Sequence, residues 1–346
     1  MGAFTSPAVR RDAPPCWFPL AHAEAIIAHP GLALAGVTDS DPQAAARAAA
    51  AFGKAPVFAD LAAMLSAATP DLLCIATRTN GRAALMQQAI HSGVRALHVE
   101  KPLCNSMAEL AELESLLADR DVCCTFGAIR RLMSPYRAAL AHIETGALGE
   151  LREIQIQFGE AALCWSHPHS IDLLLFAAGD RAIVDVSAIL GEVETGESPH
   201  DVHNDPLVHS VTVRFEGGLI GRITRVPGAD VVLACQSGAL SVEADGHRTS
   251  LLARSEDATY PVWRPWPHPP SHAPGGTLAA LSQLVECLDG NPDALAANAI
   301  IKRDILRGQR LLFAILQSHE EGGSPVAPAD VSPEWRIMGI TDGRPA

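Results

Sequence analysis

Apolar positions along this chain follow two rhythms. As far as Gly127, short apolar runs alternate with longer stretches of helical period. "LALAGVTD" (32–39) predicts a strand, "DPQAAARAAAAFG" (41–53) an alanine-rich helix, "PVFAD" (56–60) a short strand and "LAAMLSAA" (61–68) a helix. "DLLCIAT" (71–77) is almost continuously apolar, as a strand covered on both faces requires. A helix "GRAALMQQAIHSG" (81–93), a strand "RALHVEKP" (95–102), a helix "SMAELAELESLLADR" (106–120) and a strand "VCCTFG" (122–127) complete the series. Strict alternation of strand and helix implies right-handed crossovers and a doubly wound parallel sheet.

Beyond Arg131 the period drops to two. "LREIQIQFG" (151–159) and "HSVTVRFEGG" (209–218) alternate, and "LIGRITRV", "VVLACQSG" and "ALSVEAD" follow between glycine turns. Helices over "GTLAALSQLVECLDG" (276–290) and "NAIIKRDILRGQRLLFAILQSHEEG" (298–322) close the pattern, while "YPVWRPWPHPPSHAPGG" (260–276) reads as an irregular surface loop. The expected architecture is α/β: a parallel-sheet domain over residues 1–127, then an α+β domain over 128–346 with an open, mostly antiparallel sheet.

Composition narrows the function. At 346 residues and 48% hydrophobic, the chain has material for two cores. A net charge of −13 leaves no basic stripe for phosphates, which argues against nucleic acid and anionic membrane surfaces and favours a small-molecule partner. No apolar run approaches the ~20 residues of a membrane span, and no signal peptide opens the chain, so a cytoplasmic location is expected. The eight cysteines form no C-x-x-C pair, so neither a zinc site nor a disulfide framework is indicated.

Asp39 ends the strand predicted at 32–39, which takes the second-strand place of such a sheet, where an acid accepts hydrogen bonds from an adenosine ribose and repels a 2′-phosphate. NAD is therefore favoured over NADP. The competing reading is a cap for the alanine-rich helix, a role that Asp41 followed by Pro42 fills better. A glycine loop is due roughly 20 residues before that acid. Only Gly2 is available for it, because Ala3 to Pro19 form a proline-interrupted loop ahead of the helix "PLAHAEAIIAHPG" (19–31).

The run from "AGVTDSDPQ" to "VEKPLCNSMAELAELE", continued by "FGAIRRLMSPYR", "TGALGELREIQIQ" and "HPHSIDLLLFAAGD", resembles the glucose-fructose oxidoreductase, inositol dehydrogenase and MocA (Gfo/Idh/MocA) family over nearly the whole chain. The resemblance implies a Rossmann domain and NAD(P)-dependent oxidation or reduction of sugars, cyclitols or their derivatives. Within Glu100-Lys101-Pro102, it implies that Lys101 lies beside the nicotinamide and polarises the reacting oxygen. A lysine suits that task because its charge stabilises a developing alkoxide. In "WSHPHSID", His169 takes the position of the family's proton-shuttling histidine and Asp172 that of the acid after it. Trp165 replaces the family's first aspartate, and His167 is a rival to His169.

Other cofactor contacts are implied at Thr77 and Thr79, and substrate contacts at Asp172 and at Arg130, for which a salt bridge is the structural alternative. In "ATRTNGR", Arg78 and Arg82 replace the family's proline and histidine, which places two cations near a pyrophosphate or an acidic substrate. No metal is implied; His200, His203 and His209, with Asp201 and Asp205, lie in a polar loop without helical ligand spacing. The resemblance also implies a homodimer or homotetramer. Because "AFTSPAVRRDAPPCWFPL" reads as an insertion after the glycine loop, the expectation is that the chain starts at an internal methionine, with the first strand encoded upstream. Two other functions stay open: a non-catalytic NAD- or sugar-binding regulator of the same fold, and a reductase for a non-sugar carbonyl.

Overall fold

A computed structural model describes residues 2–254, 259–267 and 274–338. The chain divides into two compact units. The first comprises Met1–Cys104, Glu109–Ile129 and Pro274–Leu306; the second comprises Asn105–Ala108, Arg130–Ala273 and Arg307–Ala346. Residues 274–306, expected in the C-terminal domain, thus return to the first unit.

In the first unit, short helices α1 (Pro7–Asp12) and α2 (His22–Ala28) precede α3 (Pro42–Ala51) and α4 (Leu61–Ala67). Strands β1 (Leu72–Ile75), β2 (Ala96–Val99) and β3 (Cys123–Phe126) alternate with α5 (Arg82–His91) and α6 (Met107–Asp119), in a parallel sheet of order β1-β2-β3. The helix starts follow their caps. Asp41 accepts the Gln43 amide at 2.9 Å ahead of Pro42, and Asp60 accepts the Ala63 amide at 2.8 Å. Helix α9 (Gly276–Leu288) and the first part of α10 (Pro292–Glu320) complete the unit. Ala25, Ala96, Leu281, Leu284 and Cys287 form a core against which Leu32, Leu72 and Cys74 pack part-buried.

The run 32–39 departs from expectation. It is extended, but it contributes only an isolated bridge, Val37 to Val57, in place of a strand. The segment 56–60 likewise forms no strand beyond that bridge. A ladder needs a neighbour, and among the described residues no strand pairs with the outer edge of β1. Hence β1 is half-buried at three of its four positions while β2 is buried throughout. On the far side, the Asn298 side chain of α10 accepts the Cys124 amide at 3.0 Å and donates to the Cys124 carbonyl at 2.9 Å, closing part of β3. Residues 3–19, expected as loop throughout, contain α1 and a 3-10 turn at Pro15–Trp17. Their end docks on α9, where the Thr277 amide donates to the Pro19 carbonyl at 3.1 Å. Gly276, at φ +55°, leaves no room for a side chain beside the Trp17 carbonyl.

The second unit holds α7 (Ser134–Glu144), β4 (Leu151–Gln157), α8 (His167–Ala178), β5 (Ile183–Leu190), β6 (Asp201–Val202), β7 (Val208–Phe215), β8 (Ile220–Thr224), β9 (Asp230–Cys235), β10 (Ala239–Glu243), β11 (Arg248–Ala253), β12 (Val262–Pro265) and β13 (Arg336–Ile337). Eight strands form one sheet of order β12-β11-β10-β9-β4-β8-β7-β5, antiparallel except for the pair β4 and β8. β6 and β13 pair separately. The period of two is visible in burial: Ile154 and Ile156 of β4, and Val211, Val213 and Phe215 of β7, point into the core. Helix α8 covers β4, and the end of α10 packs on α8 where Gly308 meets Ile171. The segment expected as irregular loop contains β12, an edge strand with all four residues exposed, so no alternation marks it; residues 268–273 of that segment lie outside the described residues. Among the described residues no helix is long and apolar enough to cross a membrane.

Candidate functional site

In a parallel sheet, the carbonyl ends of the strands are where ligands bind. Here the loops after β1 and β2 are joined by one side chain. Arg82, the first residue of α5, folds back and is 2% exposed. Its Nη1 donates to the Glu100 carbonyl at 2.8 Å and also to the Pro102 carbonyl, and its Nη2 donates to the Thr77 carbonyl. Burial pulls its pKa down to about 10, opposed by the charge of Glu100, so it stays cationic at neutral pH. The expectation that Arg82 faces a pyrophosphate or an acidic substrate is therefore corrected: its terminal nitrogens are committed to backbone carbonyls. Arg78 and Thr77 are exposed, whereas Thr79 is buried and its carbonyl accepts the Arg82 amide at 3.0 Å.

Lys101 is half-buried between Glu100 and Pro102, and the Lys101–Pro102 peptide is cis. The Glu100 carboxylate pairs with His22 Nε2 at 3.2 Å through Oε1 and accepts the Lys101 amide at 3.2 Å through Oε2. Burial opposes its charge, but the hydrogen bond from His22, together with the charges of His22 and Lys101, holds its carboxyl well below the usual range. Gly127 makes the room, since a Cβ there would lie 2.5 Å from Glu100 Oε2. Edge-on to His22, with ring centres 4.6 Å apart, sits His98, whose Nδ1 lies 2.9 Å from Thr125 Oγ1. Burial, reinforced by His22, holds His98 well below its ordinary pKa, so it is neutral. Sequence reasoning missed both histidines. The available signal was a histidine inside the wholly buried strand "RALHVEKP".

Asp39 is exposed, and its Oδ1 accepts the Asp41 amide at 2.9 Å while Asp41 caps α3. Asp41 alone is the cap, and Asp39 braces the turn before it. Gly2 accepts the Ala23 amide at 3.1 Å, and a Cβ on it would lie 3.3 Å from the Ala76 Cβ, so bare backbone reaches the end of β1. Close-approach backbone at Gly2, the exposed Thr77 and the exposed carboxylate of Asp39 suit a dinucleotide, whereas Thr79 is buried.

In the second unit, two expected substrate contacts are closed into ion pairs. Arg130 grips Asp245 through Nε and Nη2, each at 2.6 Å, while the Tyr136 hydroxyl donates to Asp245 at 3.0 Å and the Phe158 ring lies 5.0 Å from the guanidinium. Arg131 holds the Asp172 carboxylate through Nε at 2.9 Å and through Nη2 at 2.9 Å, and Nη2 donates to the Asp172 carbonyl at 3.1 Å. The charged ends of Arg130 and Asp172 are thus engaged by partners inside this unit. His169 lies half-buried in the first turn of α8. Its rival His167 is fully buried, with Nδ1 3.0 Å from Ser170 Oγ, and burial pushes its pKa down to about 4. The amides of Cys164 and Trp165 donate to Asp205 at 2.7 and 2.8 Å, leaving the Trp165 ring exposed. His200, His203 and His209 go to separate acids, Glu334, Asp201 and Glu160. No group of three or more metal-ligating side chains occurs among the described residues.

No curated protein matches the chain. Solved structures share its fold at low identity. A levoglucosan dehydrogenase in complex with NADH and levoglucosan is 19% identical, over 87% of this chain and 90% of that one, with a TM-score of 0.66. UDP-N-acetylglucosamine 3-dehydrogenase GnnA from Acidithiobacillus ferrooxidans is 18% identical, over 86% and 94%, with a TM-score of 0.63. An oxidoreductase from Agrobacterium radiobacter in complex with NAD+, L-tartaric acid and magnesium is 16% identical, over 88% and 94%, with a TM-score of 0.70. Residues 17–128 match the model of an oxidoreductase family with an NAD-binding Rossmann fold, GFO_IDH_MocA.

Proposed function

We propose that the protein transfers a hydride between a nicotinamide dinucleotide and a secondary alcohol or ketone of a sugar, cyclitol or derivative. The observation that carries this reading is the Glu100-Lys101-Pro102 loop, held at the carbonyl end of the buried strand β2 inside an NAD-binding family domain. Solved structures of the same fold that are named as sugar dehydrogenases support the substrate class.

When bound, nicotinamide supplies the hydride acceptor or donor. Gly2 and Thr77 would hold the phosphates and the ribose next to nicotinamide, and Asp39 the adenosine ribose, favouring NAD over NADP. The Lys101 ammonium stabilises negative charge on the substrate oxygen, and His169, on the strength of the family resemblance alone, is the candidate for the hydroxyl proton. Calorimetric titration of NAD and NADH, then a panel of sugars and cyclitols, tests the reading. Wild type is expected to bind and turn over, and Lys101→Ala to lose at least about 100-fold in kcat with its fold intact. Trp165 in place of an acid favours the second reading, a non-catalytic binding protein, which dinucleotide or sugar binding without turnover across the panel would establish instead.

A further inference from the structure

A cation at the first position of a helix opposes the helix dipole, and burying it adds a desolvation penalty. Arg82 bears both and has no carboxylate in hydrogen-bonding contact; its terminal nitrogens donate to three carbonyls, and its buried Nε has no partner among the described residues. Two of the three belong to Glu100 and Pro102, the residues on either side of Lys101, and both accept from the single atom Nη1. The third, on Thr77, belongs to the end of the neighbouring strand and accepts from Nη2. One planar, rigid group therefore sets where the Lys101 backbone stands relative to the carbonyl end of β1. The flexible ammonium of a lysine lacks that fork.

We propose that Arg82 is the positioning residue for Lys101, acting through the carbonyls of Glu100, Pro102 and Thr77 and touching neither substrate nor cofactor. The proposal rests on the reading of Lys101 as the residue that meets the reacting oxygen. A simple bolt between two loops would stabilise the fold and leave the behaviour of Lys101 unchanged, so the two roles are separable.

The chain has three lysines, Lys54, Lys101 and Lys302, so full-length protein labelled with [13Cε]lysine gives three side-chain signals. Lys54→Arg and Lys101→Arg assign two by loss and leave Lys302 as the third. In Arg82→Lys and Arg82→Gln, the Lys101 signal is expected to change in shift and titration midpoint while those of Lys54 and Lys302 stay in place. Guanidinium ion added to Arg82→Ala is expected to move the Lys101 signal back toward wild type. With the alcohol that turns over in the panel above, kcat is expected to fall roughly 100-fold in Arg82→Gln, as a displacement of about 1 Å does, with little change in KM for NAD. An unmoved Lys101 signal in all variants, or three signals that move together, overturns the proposal. The lysine signals need no turnover, so failure of the hydride-transfer reading shows separately, as a Lys101 signal that follows Arg82 in a protein without activity.

Discussion

Each unit buries arginines, and the two meet the cost in opposite ways. In the second unit, Arg130 and Arg131 are neutralised by Asp245 and Asp172 in two-pronged ion pairs. In the first, the terminal nitrogens of Arg82 donate to carbonyls, its buried Nε has no partner among the described residues, and the charge of Glu100 acts on it without a hydrogen bond. A neutralised pair is inert toward a ligand and serves the fold. A cation held by backbone still projects a field over the loop that carries Lys101. The difference assigns the second unit's arginines to architecture and the first unit's to the site.

The sharpest way to break that comparison is Asp172→Ala. It leaves the Arg131 guanidinium buried without its carboxylate, and the expected cost is about 3–5 kcal/mol in urea unfolding. A cost near zero would mean that Arg131 is not paired as described, and that the second unit's arginines are available to a ligand after all.

Acidification comes next, because each unit also buries a histidine that refuses charge. His98 and His167 have folded pKa values below the ordinary 6.5, so the unfolded chain takes up protons first as pH falls. Stability is whole above about pH 6.5 and declines below it; for His167, at about 4 when folded, the loss reaches about 3 kcal/mol. Glu100 adds to the fall at lower pH, since its depressed carboxyl stabilises the fold only above its unfolded value of 4.5. Melting temperature followed from pH 8 to pH 4 should drop steadily below about 6.5, less steeply in His167→Gln. A flat profile would mean that these rings are solvated.

Much of the fold is legible in the sequence because burial on both faces leaves an unbroken apolar run, as in β1 to β3, and burial on one face leaves alternation, as in β4, β7 and β8. β12 was invisible because every one of its side chains is exposed, and the run 32–39 misled because apolar content does not guarantee a pairing partner. Local motifs are what propose Lys101 and His169 for the site. The pairing of Arg130 with Asp245, across 115 positions, was not readable from them. Nor was the role of Arg82: the change from the family's histidine stood out, but its contacts are backbone carbonyls, which carry no residue identity to read. The pair of His22 with Glu100 depends on α2 meeting the end of β2, a packing outcome with no local signature.

The smallest effect sharpens the comparison from the anionic side. Asp39 and Asp41 each accept a backbone amide at 2.9 Å, and Asp41 also faces Arg47 Nη2 at 3.6 Å. Their duties differ. Asp41 is the N-cap of α3, so Asp41→Ala should cost about 1 kcal/mol of stability and leave NAD affinity unchanged. Asp39 braces only the turn before that cap, so Asp39→Asn should cost a few tenths of a kcal/mol, while NAD affinity falls about tenfold and the preference against NADP shrinks. Thermal melts and calorimetric titration of both dinucleotides separate the outcomes. If Asp39→Asn loses stability and no affinity, the acid is a turn residue only, and charge held by backbone does not by itself mark a residue as part of the cofactor site.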